Sequence, residues 1–255
     1  MSRTVSRRAA APSPAPGVTR LGDPEINFYL LETADGLVLV DGGLRGHLAQ
    51  LQSHLEGTGR SLTDIRAVLL THAHLDHTGV VAAARQAGAD VWVHERDAGA
   101  LAGMRQAKPE RALSAYLMRR PASLRVLAHV ARLGGFTSSP VTDPRTVDGD
   151  RRLTEVPGHP HVMTLPGHTP GSVGYLFADR GLLFTGDALV TYDGLTGYRG
   201  PTVVSRAFTH DGRAALASLT RFDTIDAGLM FPGHGEPFAG TPADAAAQAR
   251  RAGLR

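Results

Sequence analysis

The sequence has 255 residues, no cysteine, one tryptophan, aromatics at only 5%, and a single lysine (Lys108) among 27 basic residues. Without thiols there can be no disulfide, thiolate zinc site, iron–sulfur cluster or cysteine nucleophile, and histidine and carboxylate remain as the strong metal ligands. No run of 18 apolar residues occurs, so no transmembrane helix and no membrane partner are expected. The formal net charge is only +3, and no basic stretch interleaves with aromatics, which argues against a nucleic-acid partner and leaves a small-molecule substrate. No repeat of fixed period is visible, so a solenoid is excluded. What is present is 42% hydrophobic and 20% charged residues, the composition of an ordinary globular protein.

Residues 1–17 are rich in Ala, Pro, Ser and Arg and carry no periodicity, which predicts a disordered tail. Ser6-Arg7-Arg8 has the look of a twin-arginine signal, but the prolines that follow leave no apolar stretch behind it. A cytoplasmic location is therefore expected. From Ile26 onward the pattern is strand-like: Ile26–Thr33 and Leu37–Val40 flank Ala34-Asp35-Gly36, a hairpin signal. Helices are predicted over 47–56 and 80–87, and strands over 65–70 and 91–93. Residues 95–134 are rich in Ala, Leu and Arg and broken by Pro109, Pro121 and Gly134. They predict two or three short helices, an insertion placed to serve as a lid or substrate wall. Strands return over 161–165, 173–177, 182–184 and 229–231, with helices over 213–221 and 242–251 and a long irregular stretch over 188–208. Residues 18–255 are thus expected to form one domain of two packed sheets with helices outside.

Chemistry concentrates at His72-Ala73-His74-Leu75-Asp76-His77, directly after an apolar strand. In extended backbone the side chains of residues i and i+2 point the same way, so His72 and His74 can reach one ion together. Asp76 and His77, beyond the turn, are aimed at a neighbouring position, and two adjacent ions suit the segment better than one. Three further elements end apolar runs beside glycine: Pro166-Gly167-His168, Thr185-Gly186-Asp187 and Pro232-Gly233-His234. A lone histidine after a strand is usually a surface or core residue, and an aspartate in Thr-Gly-Asp usually a turn former. The set taken jointly points to metal.

Together with Asp41-Gly42-Gly43, these motifs give the chain, from Asn27 to His234, a sequence that resembles the metallo-β-lactamase-fold metallohydrolases. It is most similar to their glyoxalase II-like and lactonase-like branch. The resemblance implies an α/β, four-layer αββα sandwich of two mixed β-sheets with helices outside. It implies two divalent ions, one held by His72, His74 and His168, the other by Asp76, His77 and His234, with Asp187 bridging both. A carboxylate has two oxygens to share, whereas a neutral imidazole offers one lone pair. Seven nitrogen and oxygen donors without thiolate favour zinc and leave iron or manganese open. Asp41 matches an aspartate that supports the site by accepting the second N–H of a ligand histidine. Some lactone-cleaving relatives use a tyrosine shortly after the bridging aspartate, which makes Tyr192 a substrate-binding candidate. His94, Tyr198, His210, His159 and His161 read more simply as structural or surface groups, and Thr169 and Ser172 as turn formers.

The implied activity is hydrolysis of an ester-like bond, thioester or lactone, by a metal-bound hydroxide, with Asp76 orienting it or relaying its proton. A water bridging two divalent ions ionises far more readily than bulk water. Asp187 argues against a true β-lactamase, a group that lacks an aspartate there. A complete glyoxalase II carries a further helical domain, whereas the chain after His234 suffices for one helix. The alternatives are a mono-iron sulfur dioxygenase, a phosphodiesterase or nuclease of the same fold, and a non-catalytic metal-binding relative.

Overall fold

A computed structural model describes residues 13–118 and 123–255. The first sheet comprises β1 (Val18–Gly22), β2 (Asn27–Thr33), β3 (Gly36–Val40), β4 (Ile65–Leu69), β5 (Asp90–His94) and β6 (Arg145–Val147), in that spatial order. Its first two pairings are antiparallel and the remaining three parallel. The second sheet is built from β7 (Arg151–Arg152), β8 (His161–Thr164), β9 (Val173–Phe177), β10 (Leu182–Gly186), β13 (Leu229–Pro232) and β14 (Phe238–Ala239). Only β10 and β13 in it run parallel. A separate hairpin pairs β11 (Val190–Asp193) with β12 (Tyr198–Thr202).

The period-2 alternation of the strands builds the layers. In β2, Tyr29 and Leu31 face the second sheet and meet Tyr175, Phe184 and Phe231 in a shared core. The alternate residues Phe28 and Leu30 face outward. There they pack with Leu51 and Leu55 of α1 (Leu48–Gly57) and with Val81 and Ala84 of α2 (Val81–Gln86). On the far side, Leu183 and Met230 pack against α6 (Gly212–Ser218) and α7 (Pro242–Ala252), the latter through Ala245, Ala246 and Ala249. Both faces of each central sheet are covered, which is why their strands read as near-continuous apolar runs. The result is the expected αββα sandwich of two mixed sheets.

The described residues of 95–134 include α3 (Glu95–Leu101), α4 (Leu113–Leu117) and α5 (Ser123–Arg132). Two expectations differ from the structure. Residues 1–12 of the expected tail lie outside the described residues, but residues 13–17 are held in place. Ser13 Oγ donates to the Ala15 carbonyl (2.6 Å), the Val18 amide donates to the same carbonyl (3.0 Å), and Ala15 is buried. Such a turn depends on the edge of β2, where Glu32 N donates to Gly17 O (2.8 Å), and local composition cannot report that contact. The stretch 188–208, expected to be irregular, contains the β11–β12 hairpin. Asp193 Oδ1 accepts from the amides of Leu195 and Thr196 and closes its turn, despite the dense glycines. No helix among the described residues is long and apolar enough to cross a membrane.

Candidate metal centre

Strand direction gathers the site. Strands β3 and β4 are parallel, so Asp41 and the segment 71–77 leave the first sheet at one edge. In the second sheet β10 and β13 are parallel, so Asp187 and His234 leave at the facing edge. His168 lies in the β8–β9 turn at the same end, because β9 is antiparallel to β10. Backbone bonds stitch the loops together, Val173 N to Thr71 O (2.8 Å) and Asn27 N to Gly233 O (2.8 Å) across the layers and Gly233 N to Gly186 O (2.9 Å) within the second sheet. The Tyr29 hydroxyl donates to Pro232 O (2.8 Å) from the shared core.

Four of the five histidines, His72, His77, His168 and His234, are fixed by one ring nitrogen and present the other. His77 Nδ1 donates to Asp41 Oδ2 (3.0 Å). Asp41 itself sits at φ 59°, a left-handed conformation uncommon outside glycine. Its carboxylate also accepts from the Thr71 amide (2.8 Å) and hydroxyl. That hydroxyl in turn accepts from His72 Nδ1 (3.1 Å). His168 Nδ1 faces Thr209 Oγ1 (3.4 Å), and His234 Nδ1 donates to the Glu25 carbonyl (2.5 Å). The Nε2 lone pairs of His72, His77, His168 and His234 are left to converge. This is how protein ligands to metals are commonly oriented.

Three groups of side chains have ligand atoms within 4.8 Å of one another: His72, His74 and His168; Asp76, His77 and His234; and His72, His77 and Asp187. Asp187 lies between the first two. Its Oδ1 is 3.5 Å from His77 Nε2, and its Oδ2 is 3.4 Å from His168 Nε2 and 3.1 Å from His234 Nε2. The donors fit cations. His168 Nε2 is 3.2 Å from His72 Nε2 and 2.9 Å from His74 Nδ1. With both Nδ1 protons of His72 and His168 committed elsewhere, the first of these contacts sets lone pair against lone pair. His77 Nε2 and Asp187 Oδ1 are buried with no hydrogen-bond partner among the described residues. A positive ion between such atoms removes both penalties.

Charge follows the same division. Burial holds His72 and His168 well below the usual imidazole range. For His77 burial acts in the same direction, but Asp76, Asp41 and Asp187 outweigh it and raise the ring to about 9. His234 is raised to about 10 because Asp187, Asp76 and the Glu25 carbonyl likewise outweigh its burial. Burial would raise Asp187; His234, His77 and His168 instead hold it well below the carboxylate range.

Close packing at the site depends on two glycines. A Cβ on Gly233 would lie 2.2 Å from Asp187 Oδ1 and 2.7 Å from His77 Cε1. At Gly186 (φ +50°) it would lie 2.2 Å from Thr71 Oγ1.

One supporting residue has no signature in the sequence. Asp97, buried in α3, accepts from Ala73 N (3.1 Å), Thr169 Oγ1 (2.7 Å) and Gly171 N (2.9 Å). It ties the loop bearing His72 and His74 to the turn bearing His168. The spacing of Asp97 matches no ligand pattern, and only the docking of α3 brings it to these loops. Thr169 and Ser172 bond to each other at 2.9 Å and act as turn formers, as expected.

The centre opens into a cavity of about 330 Å³, on which His74, Asp76, His168, Asp187, His234 and Tyr192 border. Tyr192 stands under the Arg199 guanidinium (4.6 Å), and its phenol is raised above the usual range by burial and by Glu25. The other polar candidates are occupied elsewhere. His94 caps α3 by accepting from Arg96 N (3.2 Å), His210 Nδ1 donates to Lys108 O (2.9 Å), and Tyr198 lies against Arg255 (3.8 Å). His159 and His161 are exposed at the β7–β8 turn.

Residues 21–234 match the family model of the metallo-beta-lactamase superfamily. The chain is 29% identical over 170 residues to the probable metallo-hydrolase YqgX of Bacillus subtilis, covering 66% of this chain and 68% of that protein. It is 34% identical over 124 residues to a hydroxyacylglutathione hydrolase of Cereibacter sphaeroides, covering 48% of this chain and 33% of that one. Among solved structures it is similar to TTHA1623 in a di-iron-bound form, with TM-score 0.62, 29% identity and coverage of 87% and 93% of the two chains. With a family match over most of its length and a fold of two mixed sheets between helices, the chain belongs to the metallo-beta-lactamase superfamily of metallo-hydrolases.

Proposed function

We propose that the protein is a dinuclear hydrolase of carboxylic ester-like bonds, thioester or lactone, with one ion held by His72, His74 and His168, a second by Asp76, His77 and His234, and Asp187 shared between them. The observation that carries this reading is the position of Asp187, whose two oxygens face different histidines. Nitrogen and oxygen donors without thiolate suit zinc first, with iron or manganese as alternatives. The similarity to TTHA1623, solved in a di-iron-bound form, supports a two-ion reading. When bound, the ions supply an acidified water and polarisation of the substrate carbonyl.

The chain's own side chains do the rest. Asp41 and Thr71 hold the His77 and His72 rings in the tautomers that leave Nε2 free. Asp76, with its side chain 27% exposed, is the carboxylate of the second group that borders the cavity. One of its oxygens is available to take the proton of the attacking water and return it to the departing thiolate or alkoxide. Tyr192, protonated at neutral pH, can donate to the substrate from the cavity wall. The similarity to a hydroxyacylglutathione hydrolase supports the thioester arm of the reading.

The test is a panel of thioesters, lactones, phosphodiesters and β-lactams, assayed on protein of measured metal content before and after exhaustive chelation. Turnover of a thioester or lactone that disappears on chelation and returns with zinc is the expected result. Full turnover by metal-free protein, or turnover confined to phosphodiesters, overturns it.

A further inference from the structure

Residues beyond the metal centre decide what the cavity admits. One wall comes from the helical insertion and its flank: Ala107, Pro109, Val126, Leu127, Val130 and Phe136. Another comes from the segment after the β11–β12 hairpin: Val204, Ala207 and Phe208. Among the described residues, no lysine or arginine lines the cavity, and Glu25 and Asp193 are among the residues that line it alongside Asp76 and Asp187. Gln106, the one side-chain amide there, already donates to Ala73 O (2.8 Å). Phe136 is 64% exposed and Phe208 40% exposed, so both belong to the mouth and carry the apolar surface outward. At about 330 Å³ the space lies at the small end of ligand pockets, which span about 300–1,000 Å³.

We infer that this cavity receives an uncharged, apolar arm of the substrate, a straight aliphatic acyl chain, and rejects a chain that ends in a negative charge. The inference rests on the ester-hydrolase reading for its chemistry and on the cavity walls for its selectivity. An anionic terminus would be stripped of water among aliphatic side chains, with no described lysine or arginine in the walls to pair with it. A methylene added to the arm exchanges water for apolar contact and strengthens binding roughly fourfold until the space is filled.

The test uses the full-length, metal-loaded protein. Straight-chain acyl thioesters of two to ten carbons on one small neutral thiol are compared by kcat/KM, together with the ten-carbon ester carrying a terminal carboxylate. In parallel, binding of 1-alkanols of four to ten carbons is measured by calorimetry. The expected result is a rise in both series of roughly fourfold per methylene, and at least a tenfold penalty for the carboxylated ester. Leu127→Trp, which fills part of the wall, should flatten both slopes; if that variant does not fold, the wild-type series decides alone. Alkanol binding without chain-length dependence, or preference for the carboxylated ester, overturns the inference. Alkanols that bind with the expected slope while no thioester or lactone is turned over uphold the cavity assignment and overturn the hydrolase reading instead.

Discussion

Replacing Asp97 with alanine removes the one carboxylate that spans the two loops of the first histidine group. Three bonds are lost: those from Ala73 N, Thr169 Oγ1 and Gly171 N. The threonine hydroxyl keeps Ser172 Oγ as a partner, but the two amides are stranded in a buried region. Each stranded donor costs about 1–3 kcal/mol. Relief from burying the carboxylate offsets part of that, which leaves a loss of about 3 kcal/mol. For a chain of this size that corresponds to a melting temperature lower by about 6–12 °C. Asp97→Asn should fall between, because its one oxygen can serve Ala73 or Gly171 while its amide meets an N–H at the other. The loss should also be local. The His72, His74 and His168 group should bind metal more weakly, while Asp76, His77 and His234, which do not touch Asp97, should retain theirs. Thermal unfolding and metal analysis of both variants check this. A melting temperature within 2 °C of wild type, with metal bound as tightly at both positions, refutes the bridging role.

Other outcomes follow from the same geometry. His234→Ala should empty mainly one metal position and Asp187→Ala should disturb both; unchanged metal content in both variants contradicts the proposed sorting. Gly233→Ala drives a methyl group into Asp187 and His77 and should weaken metal binding about 10–100-fold, the range seen when ligand orientation is disturbed, as read by competition with a chromophoric chelator. In metal-free protein, His77 and His234 are raised to about 9 and about 10. Their contribution to stability is complete below pH ~6.5 and is lost as pH rises through those values. His72 and His168, held low by burial, work the other way and withdraw stability as pH falls below ~6.5. The metal-free melting temperature should therefore peak near pH ~6.5, and metal should flatten the alkaline side. A steady rise from neutral pH to pH ~9 in metal-free protein runs against this assignment.

Much of the fold was legible because its strands carry their own signal. The hairpin of β2 and β3, the apolar strand β4 and the returning strands β8 to β10 stand where their apolar runs place them. The edge strand β1 and the hairpin after Asp187 were not legible. Val18–Gly22 contains only two buried residues, and the hairpin is punctuated by glycine, so both depend on partners remote in sequence. The seven grouped histidines and aspartates were visible as motifs, and Asp41 with them. Asp97, the Thr71 relay and the Glu25 carbonyl were not, since each acts through a contact that chain order does not encode.

By itself the sequence singled out the histidines and aspartates that the structure groups, and that they stand at the ends of apolar strands, because a period of two and a glycine break are local properties. Only the tertiary structure decided that these ends meet. Parallel pairing of β3 with β4 and of β10 with β13 turns four separate strand termini toward one edge. It also decided that Val126, Leu127 and Val130 of α5 line the cavity beside them, since an amphipathic helix records how much of its surface must be covered but not by what.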